Sequence, residues 1–184
     1  MRKLIYGINV SLDGCCDHTK FGGSDDILDY FRELLHDTDL IIYGRKTYEL
    51  MVPFWPEVAQ TQSMNAAANA YAKTFSALDR VVISKTLNKV ADQKAVILRD
   101  NLKDAIINLK QQPGKSISIG GVDLPGQVIA WGLVDEFHIV VHPVVVGEGR
   151  RLFSELNMPE NLGLQLQDTV TLTSGAVALR YLKP

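Results

Sequence analysis

The chain has 184 residues and a formal net charge of −2 at pH 7, which gives no electrostatic reason to expect nucleic acid or an anionic membrane as a partner. This length suits one compact core, so we expect residues 1–184 to form a single domain. No apolar run approaches the ~18 residues that cross a bilayer. The two cysteines, Cys15 and Cys16, are adjacent and form no disulfide framework, which suits a reducing cytoplasm.

The first half of the chain alternates predicted strands and helices. In chain order these are a strand at residues 4–10, a helix at 25–36, a strand at 40–43, a helix at 45–51 and an alanine-rich helix at 57–73. Ser24 is predicted to cap the first helix. Because proline interrupts helices, we expect the second helix to stop at Pro53 and residues 53–56 to form a rigid aromatic loop.

The second half continues this alternation and ends in a hairpin. The predicted elements are strands at 80–84 and 95–98, a helix at 101–110, a strand at 116–119, a helix at 123–131, a strand at 136–146 and paired strands at 162–173 and 176–182. Asn101 is a favourable cap for its helix. Pro143 implies an edge or a bulge in its strand. On that strand His138 and His142 lie ~13 Å apart, too far to share a metal, and no metal site is expected.

Repeated strand-helix-strand units predict an α/β fold. Its central sheet is largely parallel and covered on both faces, and an antiparallel hairpin is added at the C-terminal end. In such sheets ligands bind beyond the carboxyl ends of the strands. The residues that directly follow strands are therefore the candidates for function.

Two glycines, Gly120 and Gly121, separate a predicted strand from a helix. Such a pair lets a phosphate approach backbone amides at the positive end of the helix. The alternative is a tight turn that needs a positive φ. No complete Gly-x-Gly-x-x-Gly fingerprint accompanies the pair.

Two further segments offer groups for phosphate at the same end of the sheet. Gly44 is followed by Arg45 and Thr47 at a helix start, where a guanidinium and a hydroxyl bind anions. Ser84 and Lys85 follow the next strand and suit the 2′-phosphate that distinguishes NADPH from NADH. A solvated helix start and a solvated turn are the alternatives. Together, the three segments predict one elongated groove for a dinucleotide.

The residues around the end of the first strand are candidates for substrate contact. Ser11 and Asp13 leave the sheet there, although Asp13-Gly14 is also a common turn pair. Phe54 and Trp55 are able to stack on a flat heterocycle, and the alternative is that they cap the core.

Five motifs occur in an order that resembles the reductases of bacterial riboflavin biosynthesis, whose fold is that of dihydrofolate reductase. They are Ser11-Leu12-Asp13-Gly14, Gly44-Arg45-x-Thr47-Tyr48, Val82-Ile83-Ser84-Lys85, Ile119-Gly120-Gly121 and a segment at 142–153 that starts His142-Pro143-Val144. The resemblance spans nearly the whole chain and is strongest to stand-alone, single-domain members.

The resemblance implies NADPH as cofactor and assigns contacts by position. Residues matching the cofactor-phosphate segments are Gly44, Arg45, Thr47, Gly120, Gly121 and Val122. Ser84 and Lys85 match the segment near the adenosine 2′-phosphate. Ser11, Leu12, Asp13 and Gly14 match the loop beside the nicotinamide and substrate. The family also implies a homodimer, formed through the apolar C-terminal strands.

One departure concerns the substrate. Dihydrofolate reductases place a carboxylate on the first long helix, and Ile27 stands at that place here. Asp13 is then the first candidate for orienting substrate or relaying a proton, and Asp26 the second. Leu12 and Trp55 are the substrate-binding candidates.

The function implied by the resemblance is NADPH-dependent reduction of a small pyrimidine- or pterin-like substrate. The related activity is that of 5-amino-6-(5-phosphoribosylamino)uracil reductase. Two alternatives stay open, namely a non-catalytic nucleotide-binding or regulatory protein on the same fold and a dihydrofolate reductase.

Overall fold

A computed structural model of the chain describes residues 1–154, 156, 158 and 160–184. Within these residues the strands are β1 (Leu4–Ser11), β2 (Thr38–Gly44), β3 (Asp79–Ile83), β4 (Ala95–Leu98), β5 (Ser116–Gly120), β6 (Glu136–His142), β7 (Gln165–Thr171) and β8 (Val177–Leu182). The helices are α1 (Asp25–His36), α2 (Arg45–Thr61), α3 (Ala66–Ala77), α4 (Leu102–Gln111) and α5 (Asp123–Ala130). No helix in this part of the chain combines the length and apolarity that spanning a membrane requires.

All described strands join one sheet in the order β4-β3-β2-β5-β1-β6-β8-β7. The six strands from β1 to β6 run parallel, and β8 pairs antiparallel with both β6 and β7. The predicted α/β architecture with an antiparallel C-terminal hairpin is therefore confirmed. Because the parallel strands share one direction, the carboxyl ends of β1 to β6 lie along one edge of the sheet.

Helices cover both faces of this sheet. One apolar cluster packs α4 and α5 against the sheet through residues such as Ile106, Leu124 and Val128. A second cluster packs α2 and α3 on the opposite face through residues such as Val52 and Phe75. The predicted layers are present because each helix buries one apolar stripe and leaves its other side in water.

The prediction that Pro53 ends a helix is wrong. Helix α2 runs through Pro53 and Pro56 as far as Thr61. A proline removes one helix hydrogen bond, but burial of Tyr48, Val52 and Val58 on one face of α2 favours continuing the helix. The predicted aromatic loop at 53–56 is therefore helical.

The predicted alanine-rich helix at 57–73 is also divided differently. Gln62 takes a left-handed conformation with φ 51° after α2, and Asn65 begins α3. The Asn65 side chain accepts a hydrogen bond from the amide of Ala68 at 3.0 Å. This cap satisfies a helix-start amide and sets the new helix.

Three details of the predicted ends need correction. Ser24 precedes α1, but its hydroxyl donates to the Asp26 carboxylate and caps no amide. Asn101 precedes α4 with φ 52° and its side chain makes no cap bond. Strand β6 lies between β1 and β8 and ends at His142, so Pro143 follows the strand and marks neither an edge nor a bulge.

A polar network is buried between α1 and β6. The Glu136 carboxylate accepts hydrogen bonds from Arg180 Nε at 2.6 Å, His138 Nε2 at 2.9 Å and Lys3 Nζ at 3.1 Å. Tyr30 Oη lies 2.7 Å from His138 Nδ1. Burial alone raises the pKa of Glu136, but the bonds from Arg180, His138 and Lys3 outweigh burial and lower that pKa to about 2.

This depressed pKa predicts acid sensitivity. The stabilisation from ionised Glu136 is complete above its ordinary pKa of 4.5 and is lost as the pH falls towards about 2. We expect Glu136→Gln to lower the free energy of unfolding at pH 7 by up to about 3 kcal/mol and to flatten its decline between pH 4.5 and 2. Urea unfolding at several pH values measures this, with the exposed Glu33→Gln as control. Parallel pH curves for wild type and Glu136→Gln would contradict it.

Candidate functional site

Strands β1 and β5 separate towards the carboxyl edge of the sheet, and we call this point the crevice. The two strands pair only from Leu4–Ile117 to Tyr6–Ile119, whereas β1 and β6 stay paired as far as Ser11 and His142. Such a point, where neighbouring parallel strands separate, is where ligands bind in open α/β sheets. The predicted groove belongs at this edge.

The turn at Gly120 and Gly121 lies directly beside this crevice. Gly121 has φ 99°, and a Cβ there would come within 2.6 Å of Thr47 Oγ1. Tyr6 Oη donates to the Gly121 carbonyl at 3.0 Å and holds the turn in place. Val122 follows as the residue that begins α5. The glycines keep the backbone bare, so a phosphate is able to approach the amides at the start of α5.

The second predicted segment, at residues 44–47, lies against the Gly120–Gly121 turn. Gly44 precedes α2, and Thr47 lies in its first turn with its hydroxyl against Gly121. Arg45 is exposed and pairs with Glu49, with Nη1 and Oε2 3.0 Å apart. Surface pairs of this kind contribute about 0.3–0.5 kcal/mol, which leaves the guanidinium available to a stronger anionic partner.

In the third predicted segment, Ser84 is buried and Lys85 is exposed. Ser84 is buried, and its Oγ accepts hydrogen bonds from the amides of Thr86 and Leu87 at 3.2 and 3.0 Å. Its hydroxyl therefore shapes the turn. Lys85 is exposed and lines a cavity of about 440 Å³ between α4 and α5.

This cavity brings together cations that are distant in sequence. Lys85, Arg99 and Lys103 line it together with one carboxylate, Asp104, and Gln127 and Trp131 form the wall on α5. The Arg99 guanidinium also donates to the Lys85 carbonyl at 3.4 Å, tying the end of β4 to the turn after β3. Arg99 was not among the residues predicted from the sequence, although it directly follows a predicted strand and so points to this edge. We name this space the cationic cavity.

A second cavity, of about 430 Å³, lies on the other flank of α5. It also borders Gln127 and Trp131, so space for a ligand adjoins α5 on both sides. Arg150 lines it and donates to Asp123 in the first turn of the helix.

The loop after β1 is bound to the segment that follows β6. The Asp13 carboxylate accepts from Ser11 Oγ at 2.6 Å, Val146 N at 3.1 Å and Gly147 N at 2.9 Å, and it pairs with Arg151 at 3.1 Å. The hydrogen bond from Ser11, followed by those from Val146 and Gly147, holds the pKa of Asp13 far below its ordinary value. Asp13 is thus an ionised anchor in this structure, and its proton-relay role stays a prediction.

The neighbours of Asp13 differ in exposure. Leu12 is 68% exposed in the loop after β1. Gly14 has φ 82° with open space around it. Their roles as substrate and cofactor contacts stay predictions.

Asp26 is also fully engaged. Its carboxylate accepts from Ser24 Oγ, Ile27 N at 2.9 Å, Thr173 Oγ1 at 2.9 Å and Ser174 N at 2.7 Å. The hydrogen bond from Ser24 lowers the pKa of Asp26 strongly, and the bonds from Ser174 and Thr173 lower it further. Burial of the carboxylate opposes these effects in part. Its visible role is to join α1 to the β7–β8 turn, and the catalytic role stays a prediction.

The remaining substrate candidates lie in packed surroundings. Ile27, which the resemblance places where dihydrofolate reductases carry a carboxylate, is buried with Val140 and Ala178. Trp55 is half-buried, and its ring lies 4.6 Å from that of Tyr71 on α3, centroid to centroid. This contact favours the core-capping interpretation of Trp55.

Comparisons with known proteins agree with the architecture. The profile of the RibD C-terminal domain family matches residues 2–178. The uncharacterized protein YyaP of Bacillus subtilis (strain 168) is 32% identical over 184 residues, covering 98% of this chain and 94% of that protein.

Solved structures show the same fold at low sequence identity. A proposed riboflavin biosynthesis protein of Shewanella sp. PV-4 superposes with a TM-score of 0.75 at 18% identity, covering 99% of both chains. Dihydrofolate reductase of Enterococcus faecalis, complexed with NADP(H), superposes with a TM-score of 0.65 at 12% identity, covering 98% of this chain and 96% of that one. The predicted dihydrofolate-reductase-like fold is confirmed.

Proposed function

The chain belongs to the RibD C-terminal domain family, and from this premise we propose that it is an NADPH-dependent reductase of a small pyrimidine- or pterin-like substrate. The family is reductase-like, which supports an oxidoreductase in general. The cofactor and the substrate class are our extension, argued from the carboxyl edge of the sheet.

One observation carries the cofactor assignment. The Gly120–Gly121 turn, with Thr47 against it, and the cationic cavity lie at the same edge, and α5 connects them. The turn offers bare backbone amides for a pyrophosphate, and a side chain at Gly121 would fill that space. The cavity offers cations and a Trp131 ring for a phosphorylated adenosine. The residues present therefore fit a 2′-phosphorylated dinucleotide.

We assign a binding role to each of these groups at the carboxyl edge. Gly120, Gly121 and Thr47 would hold the pyrophosphate, and Lys85 and Arg99 the 2′-phosphate. When bound, NADPH supplies the hydride, and the protein supplies alignment and exclusion of water. Leu12 and the loop after β1 would cover the reacting groups from solvent.

Calorimetric titration with NADPH and, separately, NADH tests this proposal. We expect micromolar binding with a clear preference for NADPH. A screen of pterins, pyrimidines and aldehydes for NADPH oxidation then identifies the substrate class. Absence of binding to either dinucleotide would remove the cofactor assignment.

The cationic cavity gives a sharper prediction about cofactor choice. Arg99→Ala and Lys85→Ala each remove charge-assisted bonds worth about 1.5–3 kcal/mol, so we expect the Kd for NADPH to rise roughly 10- to 150-fold. The Kd for NADH should change less than about twofold, because NADH lacks the 2′-phosphate. Calorimetry measures both.

The matched control is Lys89→Ala, an exposed cation near the same turn that does not line the cavity. It should leave both dissociation constants unchanged. Equal losses of NADPH and NADH affinity in Arg99→Ala would refute the 2′-phosphate assignment.

A non-catalytic nucleotide-binding role is the second candidate function. The apolar Ile27 and the fully bonded Asp13 and Asp26 favour it, because these carboxylates have no oxygen left for substrate. It predicts NADPH binding without oxidation across the whole panel. The burial of Ile27 also predicts that dihydrofolate is not reduced.

We also propose a cytoplasmic homodimer formed through the C-terminal hairpin. Strand β7 is the edge of the sheet and is exposed along its whole length, and Leu166 and Val170 are 55% and 38% exposed. Exposed edge strands with apolar side chains pair readily with another copy. Sedimentation velocity distinguishes a 20.4 kDa monomer from a dimer.

A further inference from the structure

His142 is a buried titratable residue at the carboxyl end of β6 that the proposed function has not yet used. It is the last residue of β6, 6% exposed, and it pairs in the sheet with Ser11. Its place is therefore beside the loop at 11–14, which the proposed function puts next to substrate and nicotinamide. The Phe21 ring, from the loop before α1, lies against it with ring centroids 4.6 Å apart.

The two imidazole nitrogens of His142 differ. Nε2 lies 3.0 Å from Asn9 Oδ1. Because an amide oxygen only accepts hydrogen bonds, Nε2 is the donor, and the neutral ring carries its proton on Nε2. Among the described residues Nδ1 has no hydrogen-bond partner, and it is not sealed from solvent. Asn9 therefore fixes the ring while Nδ1 stays available to a ligand.

The groups around His142 leave it as the open acid-base group at the carboxyl end of β6. Asp26 on α1 faces it, and Asp13 lies beyond Ser11 on the β1 side, but both carboxylates are saturated with donors. The other neighbours are Phe21, against the ring, and Ala176, towards β8, and neither carries a charge. Burial lowers the pKa of His142 below its ordinary 6.5, and Asp26 opposes part of that effect.

We propose that His142 is the proton donor of the reduction, acting from Nδ1 on the nitrogen or oxygen of the substrate double bond. This proposal rests on the proposed reductase function. A reduced nicotinamide held at this edge would supply the hydride for the carbon of a C=N or C=O group. The π electron pair moves to the nitrogen or oxygen and takes the proton from Nδ1, so an N–H or O–H bond forms as Nδ1–H breaks. His142 is left neutral and regains its proton from solvent.

The proposal fixes the direction of the pH dependence. Only protonated His142 carries a proton on both nitrogens, so donation from Nδ1 needs that form. kcat/KM is then constant below the pKa of His142 and falls tenfold per pH unit above it. Because burial holds that pKa below 6.5, the decline begins on the acid side of neutrality.

The first test needs no cofactor and no turnover. Histidine NMR of the cofactor-free protein should show that His142 titrates reversibly and is the Nε2–H tautomer when neutral. Saturating pterin should shift the His142 signals and leave those of His138, four residues earlier on β6 and bonded on both nitrogens, unchanged. A neutral Nδ1–H tautomer, or pterin shifts absent at His142, overturns the proposal.

The second test uses NADPH oxidation with the panel of pterins, pyrimidines and aldehydes. General acid catalysis contributes about 10²- to 10⁴-fold, so His142→Gln should lower kcat at least 100-fold while the Kd for NADPH stays within about twofold. His138→Gln is the matched control and should keep kcat within about threefold at equal fraction folded.

The outcomes separate the two claims. Wild-type turnover with an unaffected kcat in His142→Gln overturns the role of His142 and leaves the reductase standing. If the wild-type protein oxidises NADPH in the presence of none of the panel compounds, the reductase function is refuted, and the role of His142 with it. If His142→Gln does not fold, the wild-type pH profile decides, because a flat kcat/KM through pH 5–8 overturns the proposal.

Discussion

Replacing Gly121 by valine is expected to raise the Kd for NADPH at least 100-fold. Gly121 has φ 99°, a conformation that a β-branched residue adopts only under strain. A Cβ there would also lie 2.6 Å from Thr47 Oγ1, so either Thr47 or the turn has to move. Because both line the proposed pyrophosphate site, cofactor binding should fail before folding does. Calorimetry measures the affinity, and urea unfolding should show a loss of about 1–3 kcal/mol.

Gly147→Val is the matched control for this change. Gly147 has φ 78°, a similar backbone strain, but a Cβ there meets nothing within 4 Å. We expect a comparable small loss of stability with a Kd for NADPH within about threefold of wild type. Wild-type affinity in Gly121→Val would show that the turn holds no cofactor phosphate.

Replacing Arg80 by methionine should lower the free energy of unfolding by about 3–5 kcal/mol. Arg80 is 2% exposed, pairs with Asp92 at 3.1 Å and donates to the Phe75 carbonyl at 2.9 Å. Its guanidinium also lies over the Phe75 ring, 4.8 Å from the centroid. Methionine keeps the apolar stem but leaves an uncompensated carboxylate and an unpaired carbonyl, both largely buried.

The control for this prediction is Arg32→Met on α1. Arg32 also forms ion pairs, with Asp29 and Glu33, but these lie at the surface. Its loss should cost less than about 1 kcal/mol. Urea unfolding at pH 7 measures both variants. Similar values for Arg80→Met and Arg32→Met would show that burial of the Arg80 pair has no energetic consequence.

Local sequence signals predicted several elements closely. Helix α1 spans Asp25–His36 as expected, because its apolar residues recur at helical spacing and acidic residues occupy its first turn. The C-terminal hairpin turns at Ser174-Gly175, where Gly175 has φ 83°. These elements are set by neighbours within a few positions along the chain.

The course of helix α2 depended on distant partners and was predicted wrongly. The continuation of α2 through Pro53 depends on the burial of Tyr48 and Val52 against the sheet and α3, which outweighs a local preference. Asp13 and Asp26 resembled reactive carboxylates in sequence. In the structure they bind amides and hydroxyls from residues 146–147 and 173–174, more than 100 positions away.

The sequence by itself determined the strand-helix alternation, the parallel sheet and the set of motifs at its carboxyl edge. These follow from hydrophobic periodicity and from glycines at fixed places after strands, which are local properties of the chain. Only the tertiary structure decided that Arg99 joins Lys85 at one cavity and that Asn9 orients His142. Strand order and register bring these groups together, and both are fixed by packing between segments far apart in sequence.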